Sequence, residues 1–207
     1  MRRAVALPTS TRPSGEVVYL REIRGGQDSD AELVERARAG SMAAKEALYA
    51  RHARAAFGVA HRVLAGDEVE DVVQDAFMAA LERLDQLRDG QAFASWLFSI
   101  VIGKARSRLR KRRWLRMLGL GRHEAHDFES FVSSEGSPEV TTELNVLYGF
   151  LNELPVDVGI ALVLRRVEGL TVREIGNVMD VSESTAKRHV RAGEVLLEAR
   201  LTRGGTP

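Results

Sequence analysis

Eight cations fall within the thirteen positions from Lys104 to Arg116: Lys104, Arg106, Arg108, Arg110, Lys111, Arg112, Arg113 and Arg116, with no acidic residue among them. A helix C-terminus favours cations, and long basic side chains keep a helix end soluble, but two or three would satisfy both needs. Eight without one compensating carboxylate in the run favour a phosphate-binding surface, where each neutralised phosphate releases condensed counterions. A second basic set lies in GLTVREIGNVMDVSESTAKRHVRAGEVLLEARL, where Lys187, Arg188, His189 and Arg191 follow Ser184 and Thr185. Net charge is only +1, so any surface for nucleic acid must be local.

Other chemistries find little support. The chain has no cysteine, which removes disulfides, thiolate nucleophiles and zinc–thiolate sites. His123, Glu124, His126 and Asp127 imitate a metal cluster, but they stand in a polar stretch without helical support, and no metal or other cofactor is expected. No nucleophile, base and orienting acid come together in the sequence, and no GxxxxGK phosphate loop is present, so an enzyme is not expected. No stretch approaches the length of a membrane span, and the first residues lack an apolar signal core, so the expectation is a cytoplasmic protein without stable membrane insertion.

The elements that must carry the two basic sets are all helical. Residues 1–27 mix Pro, Ser, Thr, Gly and Arg without a period and read as a flexible arm. From Ser29, a capping-box pattern with Glu32 predicts a helix that ends at Gly40. A second helix is predicted from Ser41 to Leu64, and a third from near Asp67, with Glu70 three positions on, through Leu84. After the turn LRDGQ, a fourth begins near Gln91 and carries Phe93, Trp96, Leu97, Ile100, Val101, Ala105 and Leu109 at spacings of three and four before it becomes basic. Phe77, Phe93 and Trp96 lie on apolar stripes and read as core, whereas Trp114, flanked by Arg113 and Arg116, reads as exposed.

The fold class is therefore all-α, as two small helical domains: a four-helix unit over 28–113 and a helix-turn-helix unit over 141–203, joined by a flexible linker over 114–140. In the second unit Thr171 and Glu174 form a capping-box pattern, and Leu170 and Ile175 stand at hydrophobic-staple positions. Asp180 occupies the sharp reversal and Ser182 the next N-cap. A second helix bearing Thr185, Lys187, Arg188, His189 and Arg191 is what a major-groove recognition helix requires.

Both halves together resemble the extracytoplasmic-function (ECF) sigma factors of bacterial RNA polymerase, over roughly Asp30 to Arg203. DEVEDVVQDAFMAALERLDQL is similar to the family's polymerase-binding helix through Asp71, Val73, Gln74, Asp75 and Phe77. FASWLFSI matches through Phe93, Trp96, Leu97 and Ile100. LNELPVDVGIALVLRRVEGLTVREI matches through Leu151, Leu154, Pro155, Leu164, Arg165, Glu168, Gly169, Leu170, Thr171, Glu174 and Ile175.

The resemblance implies that the Asp71–Phe77 face binds core RNA polymerase. It implies that the fourth helix (Lys104, Arg106, Arg108, Arg110, Lys111, Arg112, Arg113) and the loop Asp85–Gln91, with Arg88, contact the −10 promoter element, where a flipped base is accepted. Ser184, Thr185, Lys187, Arg188, His189 and Arg191 would contact the −35 element, and the linker would thread through polymerase. An anti-sigma factor, able to hold the protein at the membrane, is a further implied partner. Gly103, Ser107, Asp180, His189 and Ala192 depart from residues frequent in the family. Two other functions stay open at this point: a LuxR-like regulator that binds DNA without polymerase, and a sigma-like decoy that sequesters an anti-sigma factor.

Overall fold

The computed structural model describes residues 28–64, 68–120 and 149–204. The N-terminal arm, Asp67 with its expected cap, most of the linker and the His123–Asp127 cluster lie outside them.

Helix α1 spans Asp30–Arg38, α2 Met42–Val63, α3 Glu68–Glu82 and α4 Phe93–Met117. Ser29 and Glu32 close the reciprocal capping box of α1: the Glu32 amide donates to Ser29 Oγ at 3.3 Å, and the Ser29 amide donates to Glu32 Oε2 at 2.6 Å. Ser41 caps α2 through the Ala44 amide. The four helices bury one cluster in which Leu48, Val72, Val73, Phe93, Leu97 and Val101 are almost fully enclosed. Phe77 and Phe93 are core as expected, Trp96 is half-buried, and Trp114 is 56% exposed. α4 runs to Met117, past the domain limit expected at 113.

In the second half, residues 149–153 are helical, and α5 spans Val156–Arg166, α6 Val172–Met179 and α7 Glu183–Gly204. α7 packs across α5 and α6, with Val158 and Leu162 meeting Leu197 and Ala192. No strand occurs among the described residues.

The two halves do not stand apart. Val59 of α2 and Ile102 of α4 join Ile160, Leu164, Leu170, Ile175 and Met179 in a single apolar cluster. Ile102 is fully enclosed there, and each such side chain withdrawn from water contributes about 1.5–3 kcal/mol to keeping the halves docked. Before docking, these two residues belong to the ordinary apolar stripes of their helices, so nothing in the local pattern marks them as contacts between halves.

Candidate nucleic-acid interface

At 100° per residue the cations of α4 separate onto three faces. On the first, Arg106 Nε donates to Asp157 Oδ1 at 2.5 Å, Arg110 Nη2 donates to Asp157 Oδ2 at 2.8 Å, and Arg113 Nη1 donates to the Leu154 carbonyl at 2.9 Å. Arg106 also reaches the Met179 carbonyl at 3.1 Å. On the second, Arg112 lies 3.0 Å from Glu68, and Arg108 lies 3.9 Å from Glu68 and 3.7 Å from Asp75. The third face is open and carries Gly103, Lys104, Ser107, Lys111 and Trp114.

The sequence expectation of a run without compensating carboxylates is therefore corrected: Asp157, Glu68 and Asp75 compensate it from other helices. Lys104, Lys111 and Arg116 make no ion pair with another described residue. Gly103 adds no side chain to the open face, and a Cβ there would meet nothing within 4 Å. The Ser107 hydroxyl is turned back onto the Gly103 carbonyl at 3.0 Å. Lysine ammonium groups thus dominate the open face, and nothing on it has the directional pattern of a side chain that reads a base edge.

The helix-turn-helix forms as its caps predict. The Thr171 hydroxyl accepts from the Glu174 amide at 3.3 Å, and Glu174 Oε2 accepts from the Thr171 amide at 2.7 Å. Leu170 and Ile175 are both buried. Asp180 closes α6 in the left-handed region, with φ 52° and ψ 53°. A side chain at Gly176 would meet the Val181 carbonyl oxygen at 3.0 Å, so the tightness of the turn depends on that glycine. The Ser182 hydroxyl accepts from the Thr185 amide at 3.2 Å and starts α7.

Ser184, Lys187, Arg188 and Arg191 are exposed and Thr185 half-exposed, while Ala186 and Val190 hold the helix in its core. His189 is half-buried. Burial depresses its basicity first, Asp157 opposes that, and the Arg188 and Arg106 charges add to it, so the charge of α4 is felt on α7.

On α3, Asp71, Gln74, Asp75 and Met78 are exposed, but Val73 and Phe77 are buried. Of the face expected to meet a partner, then, only the three polar residues can be touched, and Val73 and Phe77 hold the helix against the bundle. The loop that follows is built rigidly. Arg38 donates to the Leu84 carbonyl at 3.1 Å and to the Leu87 carbonyl, and Asp89 Oδ1 accepts from the Gln91 amide at 3.0 Å. A Cβ on Gly90 would stand 2.7 Å from the Ala31 Cα, so only glycine lets the loop lie on α1. Arg88 is exposed beside Trp96, Ser95 and Ser99 in a cleft of 620 Å³ whose far wall is Leu164, Glu168, Leu170 and Val178 of the second half.

Glu168 is buried at that boundary, 3.1 Å from Arg62 of α2. Burial pushes its carboxyl up to about 7, with the Arg62 charge working against the rise. Asp157 shows the opposite balance: burial works to raise it, but hydrogen bonds and charge from Arg106 and Arg110 hold it below its ordinary value. Asp157 is marked by no motif in the sequence, and Glu168 is marked by the family match without its partner, since the partners of both acids lie far along the chain. Among the described residues, no group of three or more acidic or histidine side chains is placed to hold a metal, and no helix is long and apolar enough to cross a membrane.

Comparison with known proteins extends this geometry. The family model for Sigma-70 region 2 matches residues 48–115, and that for Sigma-70, region 4, matches residues 144–197. The ECF RNA polymerase sigma-E factor of Escherichia coli is 31% identical over 178 residues, covering 82% of this chain and 93% of that protein. The sigma-E factor of Haemophilus influenzae is 26% identical over 182 residues, covering 84% and 96%. Among solved structures, CnrH in complex with the cytosolic domain of CnrY superposes with a TM-score of 0.60 at 25% identity, covering 85% of this chain and 99% of that one. The sigma factor RpoE in complex with the anti-sigma factor NepR from Bartonella quintana superposes with a TM-score of 0.58, covering 76% and 96%; at 23% identity it bears on the fold alone.

Proposed function

We propose, from the fact that this chain belongs to the ECF family of sigma-70-type RNA polymerase sigma factors, that it binds core RNA polymerase and directs promoter-specific transcription initiation. The observation that carries this reading is the presence of both family regions in order, the first with an acidic surface and a basic helix, the second with a capped helix-turn-helix. The protein works by placing polymerase, and bond formation belongs to polymerase.

In this reading Asp71, Gln74 and Asp75 meet core polymerase through the exposed face of α3. The open face of α4, with Lys104 and Lys111, and the loop bearing Arg88 meet the −10 element, supported by the exposed Arg88 guanidinium beside the half-buried Trp96 and by the two lysines that pair with no described residue. Ser184, Thr185, Lys187, Arg188 and Arg191 meet the −35 element from the exposed side of α7. The first domain then extends over 28–117 so as to include the whole of α4. The protein operates in the cytoplasm, and an anti-sigma factor is a natural partner, since CnrH is held in a complex with the cytosolic domain of a second protein, CnrY.

The direct test is initiation by purified protein and core RNA polymerase on a genomic DNA library. Transcripts that share a pair of upstream elements and appear only with the protein support the reading. Binding to core without new starts would favour the decoy function, and a specific footprint without polymerase would favour the LuxR-like one.

A further inference from the structure

Arg106, Arg110 and Arg113 recur at intervals of four and three, so one face of α4 presents three guanidinium groups in a row. In the closed molecule all three are directed at the second half: two onto the Asp157 carboxylate, and the third onto the Leu154 carbonyl. A carboxylate that accepts from two guanidinium groups offers them the same charge and paired oxygens as a phosphodiester. The Asp157 side chain is about one-fifth exposed, so water and a competing anion can reach the pair.

We propose that Asp157 is an internal stand-in for DNA phosphate, which holds Arg106 and Arg110 while the halves are docked and must release them before that face of α4 can bind nucleic acid. The inference rests on the reading of α4 as a DNA surface. It adds that this surface exists in two states, and that the switch between them is a competition at one carboxylate. The open face with Lys104 and Lys111 stays available in both states, whereas the arginine face becomes available only on release. Apparent DNA affinity is then reduced by the fraction of molecules in which the latch is closed.

The experiment uses the full chain. Because it lacks cysteine, Glu82→Cys and Glu198→Cys place a donor and acceptor dye on exposed positions of the two halves without background labelling. Asp157→Asn is compared with wild type in energy transfer between the dyes and in binding to a short non-promoter DNA duplex across a salt series. The expected result is lower transfer, affinity raised about five-fold or more, and a salt slope steeper by about one to two units as the freed guanidinium groups meet phosphate. Asp157→Glu, which keeps the carboxylate, should stay near wild type. Asp157→Ser, with a side chain suited to a helix start, replaces the Asn variant if that one melts early.

DNA affinity and salt slope unchanged from wild type, whatever the dyes report, would overturn the proposal. Initiation by the wild-type protein with core polymerase is measured separately. Its absence would count against the sigma reading, while the DNA-binding comparison would still decide the role of Asp157.

Discussion

Arg62 on α2 and Glu168 in the loop after α5 lie 3.1 Å apart across the boundary between the two halves, with the glutamate enclosed and the arginine reaching solvent. Burial raises the Glu168 carboxyl from an ordinary value of 4.5 to about 7, with Arg62 opposing, and Arg88, Asp89 and Glu174 line the same cleft. A carboxyl that holds its proton more tightly in the folded protein stabilises most at low pH. That stability is fully present below about 4.5 and is lost as pH rises through 7. Glu168→Gln mimics the protonated form and should melt close to wild type at pH 4.5. By pH 8 it should be the more stable protein, by about 1–3 kcal/mol. His61 and His189 titrate in both proteins and cancel in the difference, which thermal unfolding across that range measures. A gap that does not widen with pH would contradict the assignment.

The loop at Gly90 provides a steric test. Gly90→Ala places a methyl group 2.7 Å from the Ala31 Cα, a backbone atom that cannot swing away. The variant should lose about 1–3 kcal/mol of stability, read as an earlier thermal or urea midpoint. The displaced loop should also weaken use of the −10 element more than of the −35 element, measured on promoters altered in one element at a time.

How far these features can be read in the sequence depends on distance along the chain. The capping boxes Ser29/Glu32 and Thr171/Glu174 each complete themselves within four residues, so the starts of α1 and α6 are legible, as is the reversal at Asp180. The partners of the basic run are not legible, because Asp157 lies on a helix brought alongside only by tertiary docking. Val73 and Phe77 illustrate a different limit. A family motif marks them together with Asp71, Gln74 and Asp75, but helical geometry turns them inward, and the motif mixes residues that hold α3 with residues a partner can touch. Val59 and Ile102 likewise look like any other apolar position until the second half packs on them.

Asp71, Gln74 and Asp75 are exposed and outside the core, so their replacement by alanine should leave the protein folded, with a stability loss of about 1 kcal/mol or less where Asp75 gives up its 3.7 Å contact with Arg108. Association with core polymerase should fall by ten-fold or more, on the order of 1.4 kcal/mol. Non-promoter DNA binding by the free protein should stay within two-fold, on the order of 0.4 kcal/mol. Fluorescence anisotropy with labelled protein gives both numbers. Retained association would move the polymerase contact elsewhere.

Lys104 and Lys111 occupy the open face of α4 and pair with no described residue, so their replacement by glutamine should cost DNA binding without disturbing docking. The salt slope of the promoter complex should become shallower by about 0.9 for each lysine that neutralises a phosphate. The corresponding change at Arg108 and Arg112 should instead lower the melting temperature, since these side chains lie against Glu68 and Asp75. Equal slopes in the lysine variant and wild type would remove the open face from the DNA path.

The central claim is that this chain gives core RNA polymerase a promoter specificity, and mapping of transcript starts from a genomic library with purified components tests it most directly. The account predicts starts that depend on the protein, share elements near −35 and −10, and lose the −35 preference when Lys187, Arg188 and Arg191 are replaced. A start pattern identical with and without the protein, under conditions where it binds core, would contradict it.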